Sequence, residues 1–217
     1  MGRPRADLTN LTMQQPSLRS LVPAPDRRRG TTDAPPPLSW NERTAVGLRY
    51  LMLTAVLVAA VGAGGWWLSW PLLTSTVGPT AYVFATHPHS ETARFRNAVI
   101  GHGVAIGIGI AALGVFGLLK APSVSALGAP TPRQIGAAAV AVGVTVFALE
   151  LLGSHHAPAA ATTVLVSTGL AKPGAPLIGL VVGLAVVVVL GPLCGHWPFA
   201  REEAAREQVV IAPAKNK

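Results

Sequence analysis

Long apolar stretches separated by short polar ones fill the middle of the chain. Four of them have the length of a transmembrane helix: residues 46–70, 97–119, 135–153 and 176–197. Because an α-helix rises about 1.5 Å per residue, roughly 20 apolar residues cover the hydrocarbon core of a bilayer. The pattern therefore predicts an all-α membrane protein with four transmembrane helices.

Two further apolar stretches, residues 72–86 and 158–170, are shorter. Neither has the length of a comfortable helical crossing, so we expect re-entrant or broken helices there. Non-helical backbone is tolerated at membrane depth only where protein or a water-filled cavity covers it. These two stretches are therefore the first places to look for a functional site.

The two short stretches also resemble each other. Residues 75–81 (Ser-Thr-Val-Gly-Pro-Thr-Ala) align without a gap with residues 154–160 (Ser-His-His-Ala-Pro-Ala-Ala). Each follows one long apolar stretch and precedes another, so we predict two structural repeats, at residues 46–119 and 135–197. Small residues at four-residue spacing in the last span of each repeat predict close helix packing or homo-oligomerisation; they are Gly103 and Gly107, and Gly179 and Gly183.

The distribution of charge divides the chain into three parts. Only 12% of the residues are charged, and the formal net charge is +8. Residues 1–42 are rich in Arg and Pro and are expected to be a disordered basic tail. A transmembrane domain at 43–198 and a C-terminal tail at 199–217 follow. No nucleic-acid-binding motif accompanies the basic residues, so we assign them to membrane orientation rather than to a nucleic acid.

With four crossings, the basic residues of the flanks and loops fall on one side of the membrane; they are Arg43, Arg49, Lys120, Arg133, Arg201 and Arg206. Positively charged loops stay in the cytoplasm, so both termini are expected there. The expected location is the plasma membrane of a bacterium. If the short stretches also cross, there are six spans, the repeats are inverted, and Lys120 and Arg133 move to the outer face.

Pro79 and Pro158 stand where helices would begin, and proline favours the first helical turn. A half-helix that starts inside the membrane directs free backbone N–H groups and its positive dipole end towards the interior. Two such ends would form an anion site between the repeats. The residues expected to line this substrate site are Ser75, Gly78, Pro79, Thr80, Ser154, His156, Pro158 and Ala159.

Three ionisable residues are candidates for roles around this site. Arg96 and His102 are placed near its entrance, and Glu150, the one acid within the third span, is a candidate for proton coupling. Histidines are also metal ligands, and His87, His89, His155 and His156 make metal transport an alternative. Cys194 is the single cysteine and has no thiol partner in the chain. No cofactor and no enzymatic activity are predicted, because no nucleotide-binding or catalytic motif is present.

Motifs in both halves of the chain also resemble those of a known family. The first half carries Gly78-Pro79-Thr80-Ala81, Pro88-His89-Ser90, Ala93, Arg96-Asn97 and Gly101-His102. The second half carries His-Ala-Pro-Ala-Ala-Ala-Thr at residues 156–162. These motifs resemble the HPP family of integral membrane proteins, which has His-Pro-Pro-Ala-Gly-Ala-Thr at the second position. The resemblance covers residues 46–197 and departs from the family at Thr92, Phe95, Ala157 and Ala160. It implies a four-span protein, and nitrite transport, to which some members are linked.

The favoured function is the transport of a small anion across the lipid bilayer. Nitrite is the substrate that the resemblance implies, whereas the residues themselves indicate only a small anion. About 150 membrane residues form only a thin wall around a transport pathway, so we expect a homodimer or higher oligomer. The rival interpretation is a membrane scaffold or subunit of a larger complex, which would tolerate apolar substitutions at Thr80, Glu150 and His156.

Overall fold

The computed structural model describes residues 39–196. These residues form seven α-helices: α1 (Trp40–Leu68), α2 (Val77–Thr86), α3 (Phe95–Val115), α4 (Val124–Leu127), α5 (Pro132–Leu151), α6 (Pro158–Ser167) and α7 (Ala175–Leu190). Two 3-10 turns, Glu91–Ala93 and Gly191–His196, complete the elements. The predicted tails lie outside the described residues, apart from residues 39–42.

The predicted all-α class is confirmed, and so are the four long apolar helices. Helices α1, α3, α5 and α7 each have the length and composition of a membrane span. Their bounds differ from the predicted ones by several residues. At the starts of α1 and α5 the reason is that the prediction counted only apolar residues, whereas polar capping residues also belong to the helix. Ser39 and Glu42 form a capping box that starts α1, and Thr131 and Gln134 form another at α5. Both helices therefore begin before their apolar stretches.

The two short apolar stretches are also helical. Helices α2 and α6 have 10 residues each. That length corresponds to about 15 Å, or half of a hydrocarbon core. Of the residues before α2, Leu72 is buried against α1 and α7, and Thr76 is also buried. Pro71, Leu73 and Ser75 are exposed. The broken helices expected at these positions are therefore present.

Helix α6 runs parallel to α3. Near its start, Ala159 lies against Gly101 of α3, and near its end Val166 lies against Gly109. Further along the chain, the carbonyl oxygen of Thr168 accepts hydrogen bonds from Val124 and Gln134, which lie near the end of α3 and the start of α5. Helix α6 thus leads from the end of the bundle where α3 begins to the end where α3 finishes.

Helix α2 similarly runs parallel to α7. Leu72, before α2, lies against Gly183, and Phe84, near the end of α2, lies against Gly191. Neither short helix returns to the end from which it came. We call the end with residues 87–94 and 152–157 the proximal end, and the end with residues 116–131 and 168–174 the distal end.

The chain therefore makes six passes of alternating direction, with α1 starting and α7 finishing at the proximal end. Lys120 and Arg133 lie at the distal end, opposite the start of α1, and do not share a side with Arg43 as four crossings would require. The reason is that α2 and α6, although short, are completed by the connecting segments and occupy full passes between the long helices.

Each short helix packs against helices from both halves of the chain. Helix α2 packs against α1 and α7, and α6 packs against α5 and α3. Each short helix thus contacts the first helix of its own half and the last helix of the other half. Two inverted copies of a three-helix unit would give this pairing, which favours the predicted repeat; the repeat itself stays a prediction.

Glycines mediate these exchanged contacts. A Cβ on Gly101 or Gly109 would meet α6 or the residues before it, and a Cβ on Gly183 would lie against the backbone of Leu72. The predicted close packing is thus present at Gly179 and Gly183, whereas Gly103 and Gly107 face outwards with no neighbour within 4 Å. In α3, therefore, Gly101 and Gly109 carry the packing face.

The six passes predict which loops share a side of the membrane. In a Cys194→Ala background, a cysteine at Ser125 should be labelled by an impermeant maleimide from the side opposite to the C-terminus. A cysteine at Glu91 should be labelled from the same side as the C-terminus. The reverse result at both positions would restore the four-crossing topology.

The glycine contacts predict a stability difference between two neighbouring positions. A Cβ at Gly109 would lie 2.7 Å from the Val166 Cβ, whereas one at Gly107 meets nothing within 4 Å. We expect Gly109→Ala to destabilise the protein by about 1–3 kcal/mol through overpacking. Gly107→Ala, the matched control, should leave stability unchanged or slightly raised. Thermal unfolding of the purified protein in detergent measures both, and equal melting temperatures would contradict the α3–α6 contact.

Candidate functional site

A buried histidine lies at the junction of both halves of the bundle. His102, in the N-terminal half of α3, is 5% exposed. Its Nδ1 lies 2.8 Å from the Thr162 hydroxyl of α6, and its Nε2 lies 3.3 Å from the Thr80 hydroxyl of α2. His102 therefore connects the N-terminal parts of the two short helices.

His156 meets His102 from the break between α5 and α6. The two Nε2 atoms are 3.1 Å apart, and the rings meet edge to face at 4.7 Å between centroids. The other ring nitrogen of His156, Nδ1, lies 2.7 Å from the Thr92 carbonyl oxygen in the loop before α3. The side chain of His156 is 2% exposed, so both of its ring nitrogens depend on protein partners.

The partners assign the ring protons of this pair. A backbone carbonyl only accepts, so His156 carries its proton on Nδ1 and donates it to Thr92. The Nε2 of neutral His156 then accepts, which makes His102 the donor through its own Nε2. The Nδ1 of His102 accepts from the Thr162 hydroxyl. All donors thus point in one direction, from Thr162 through the two rings to Thr92.

The approach of the rings depends on a glycine. A Cβ on Gly101 would lie 2.9 Å from the Cβ of His156, closer than real Cβ atoms come to a neighbour. Ala159 lies on the same face of α6 and is fully buried there. Only a residue without a side chain at position 101 lets the segment before α6 reach His102.

Hydrogen bonds anchor that segment to the start of α3. The Ser154 hydroxyl donates to the Asn97 carbonyl oxygen at 3.3 Å, and the Asn97 side-chain amide donates to the Glu91 carbonyl oxygen at 2.9 Å. Ser154 and Asn97 are both buried. The proximal loops are thus tied to each other beside the histidine pair.

Beginning with Thr80, which also contacts the Nε2 of His102, threonines continue towards the distal end. The Thr80 hydroxyl donates to the Thr76 carbonyl oxygen at 2.8 Å, and the Thr76 hydroxyl is 3.1 Å from that of Thr74. Thr74 and Ser75 line a cleft of about 270 Å³ together with residues from the end of α6 and the start of α7. A row of polar groups therefore leads from a distal cleft through the histidine pair to the half-buried Thr92 in the proximal loop.

A second cleft, of about 260 Å³, lies between α3 and α7. Its lining is apolar except for His102, and Gly103 also lines it. His102 thus borders this cleft in addition to the polar contacts that it makes inside the bundle.

The structure brings several of the predicted site residues together. Thr80 and His156 each lie within hydrogen-bond distance of His102. Pro158 and Ala159 are buried at the start of α6, and Ser154 anchors the segment before it. Ser75 lies at the distal cleft, and Gly78 and Pro79 are exposed on α2. The free backbone N–H groups predicted to bind an anion are not free at three positions. The N–H groups of Thr80, Ala159 and Ala160 already donate to backbone carbonyl oxygens.

The other candidates lie outside this cluster. Arg96 is exposed in the first turn of α3, and Glu150 is exposed with an oxygen 3.8 Å from the Nδ1 of His155. Within residues 39–196, no three His, Cys, Asp or Glu side chains are grouped so that they could hold a metal ion. The side chain of Cys194 lies outside the described part of the chain.

Sequence reasoning missed Thr162, Thr92, Asn97 and Gly101. A signal was present, because Asn97, Gly101 and Thr162 belong to the motifs that carry the family resemblance. Their roles come from contacts across 54 to 64 residues of chain, which periodicity and composition do not report.

Comparison with known proteins agrees with these motifs. The family model described as the HPP transmembrane region matches residues 38–198. The chain belongs to the HPP family. This HPP protein is therefore a multi-pass protein of the lipid bilayer, and its matched region contains the whole histidine site. No curated protein and no solved structure matches the chain.

The hydrogen-bond assignment in this HPP protein is open to a direct measurement. With ¹⁵N-labelled histidine, NMR should show His156 protonated at Nδ1, because that nitrogen donates to the Thr92 carbonyl. It should show His102 protonated at Nε2, because the Nε2 of His156 then needs a donor. Spectra of His102→Gln and His156→Gln assign the signals. Protonation of His156 at Nε2 alone would contradict the arrangement.

Proposed function

We propose that this HPP protein transports a small anion, with nitrite as the first candidate, along the row of polar groups that joins the distal cleft to Thr92. The observation that carries the proposal is the buried pair of His102 and His156 between Thr80 and Thr162, inside the bundle. Polar groups at membrane depth are costly, and they mark substrate pathways in many membrane proteins.

The arrangement of the helices supports a transport function. Secondary transporters place their sites near the midplane, between two repeats and beside interrupted helices. Here α2 contributes Thr80, α6 contributes Thr162, and both contact His102 through their N-terminal parts. A scaffold subunit has no need of a buried hydrogen-bonded row that connects its two ends.

The charges support an anion as the substrate. Among the described residues, those of the distal end carry Lys120, Arg133 and Lys172 and no acidic residue. A surface of one sign raises the local concentration of ions of the opposite sign. The described acids, Glu42, Glu91 and Glu150, lie towards the proximal end, and none contacts the histidine pair.

We further propose that both termini face the cytoplasm of a bacterium. The tail preceding α1 carries Arg27, Arg28 and Arg29, and such basic segments stay on the cytoplasmic side. The distal cleft would then face outwards. The exposed Gly103 and Gly107 leave one face of α3 available for a second copy, so the oligomeric state should be measured with the purified protein.

Uptake of nitrite by proteoliposomes tests the proposal. We expect His156→Gln to lower protein-dependent uptake by about 10-fold or more, because it disrupts the buried hydrogen bonds that join the His156 ring to Thr92 and His102. Gly101→Ala should do the same, because its Cβ displaces His156 from His102.

Two matched controls accompany these variants. Gly143→Ala changes an exposed glycine of α5 that meets nothing within 4 Å, and His155→Gln changes the exposed neighbour of His156. Both should retain wild-type uptake. If the wild-type protein moves neither nitrite, nitrate nor chloride faster than empty vesicles do, the transport proposal fails and the scaffold interpretation gains.

A further inference from the structure

The contact between the two histidine rings limits how many protons the pair can hold. In the neutral pair, a single hydrogen lies between the two Nε2 atoms, which are 3.1 Å apart. Protonating both Nε2 atoms would place two hydrogens in that gap. The Nδ1 of His156 already carries a proton, which it donates to Thr92. The one free position is therefore the Nδ1 of His102, so the pair can take up one proton and no more.

That proton would change the neighbouring threonine from a donor into an acceptor. The Thr162 hydroxyl is 2.8 Å from the Nδ1 of His102 and donates to it in the neutral state. Once Nδ1 is protonated, the Thr162 oxygen accepts, and the hydroxyl hydrogen becomes free for another partner. Protonation thus creates a positive charge and a free hydroxyl donor in the same place.

The described surroundings offer no acid to balance that charge. Helices α6 and α7 contain no ionisable residue. On the other elements around the pair the ionisable groups are exposed at the surface: Tyr82 of α2, Arg96 of α3, Arg133 and Glu150 of α5, and the loop residues His87, His89, Glu91, Arg94 and His155. Glu91 is paired with Arg94 at 3.2 Å, and Glu150 lies beside His155. A cation in a low-dielectric interior needs a counter-charge, which only a bound anion would supply here.

We propose that the His102–His156 pair carries one proton with each transported anion, so that the protein is an electroneutral proton–anion symporter. This inference rests on the proposed transport function. The anion binds beside the protonated ring, accepts the Thr162 hydroxyl hydrogen, and leaves on the other side of the membrane. The proton leaves the Nδ1 of His102 with it, which restores the neutral pair and the original direction of the hydrogen bonds.

The experiment uses proteoliposomes of the full chain with a pH dye trapped inside and the membrane potential clamped by potassium and valinomycin. An inward proton gradient of one pH unit should drive nitrite to about tenfold accumulation, since one proton accompanies one anion. The lumen should acidify together with uptake, and the clamped potential should have no effect. Empty vesicles, measured in parallel, give the passive flux of nitrous acid to subtract.

His102→Gln is the decisive variant, because the amide can still make hydrogen bonds but cannot carry the proton. We expect it to lose proton-coupled accumulation, whereas Gly143→Ala should keep it. Thermal unfolding of His102→Gln in detergent shows whether the variant is folded. Proton-coupled accumulation by a folded His102→Gln protein would overturn the inference.

The failure of coupling and the failure of transport give different results. Wild-type uptake that follows the clamped potential and ignores the pH gradient would overturn coupling and leave anion transport in place. If no anion is transported, ¹⁵N NMR decides the inference. Nitrite added at constant pH should convert His102 to its doubly protonated form, and an unchanged histidine spectrum would overturn it.

Discussion

The close contact of α3 with the segment leading into α6 is the constraint on which the site depends. Gly101 has no side chain, so the backbone at His156 comes near enough for the two histidine rings to meet. In lipid no water replaces a missing partner, and each polar atom that this approach buries has to be satisfied by protein. The Thr92 carbonyl, the Thr162 hydroxyl and the Thr80 hydroxyl fulfil that requirement.

Short helices make this polar interior possible. A continuous span satisfies its backbone internally and leaves only side chains to line a pathway. Helices α2 and α6 are short enough that their N-terminal parts lie inside the bundle, where Thr80 and Thr162 meet His102. Of the long helices, α3 contributes His102 to this cluster, and α7 carries no ionisable residue. Polar chemistry is thus concentrated where the passes are broken.

The sequence predicted the elements better than their arrangement. Apolar length identified the four long helices, and Pro158 marked the start of α6. Direction was harder, because a short apolar stretch fits a re-entrant helix as well as a completed pass. The sequence also did not show which glycines of α3 face its neighbours. Residues two positions apart on a helix point to nearly opposite sides, so Gly101 packs against the segment before α6 while Gly103 faces outwards. His102 and His156 were each singled out, but they stand 54 residues apart in the chain, and no local pattern reports such a pairing.

The histidine contact also belongs to both halves of the chain. Thr80 and His102 come from the first half, and His156 and Thr162 come from the second. A displacement of one half against the other therefore changes the distance between the two Nε2 atoms before it changes any contact within a half. Since that distance decides which ring nitrogens can hold a proton, protonation of the pair and the relative position of the halves are coupled by the same atoms. An alternating-access transporter needs this kind of coupling between its cargo and its conformation.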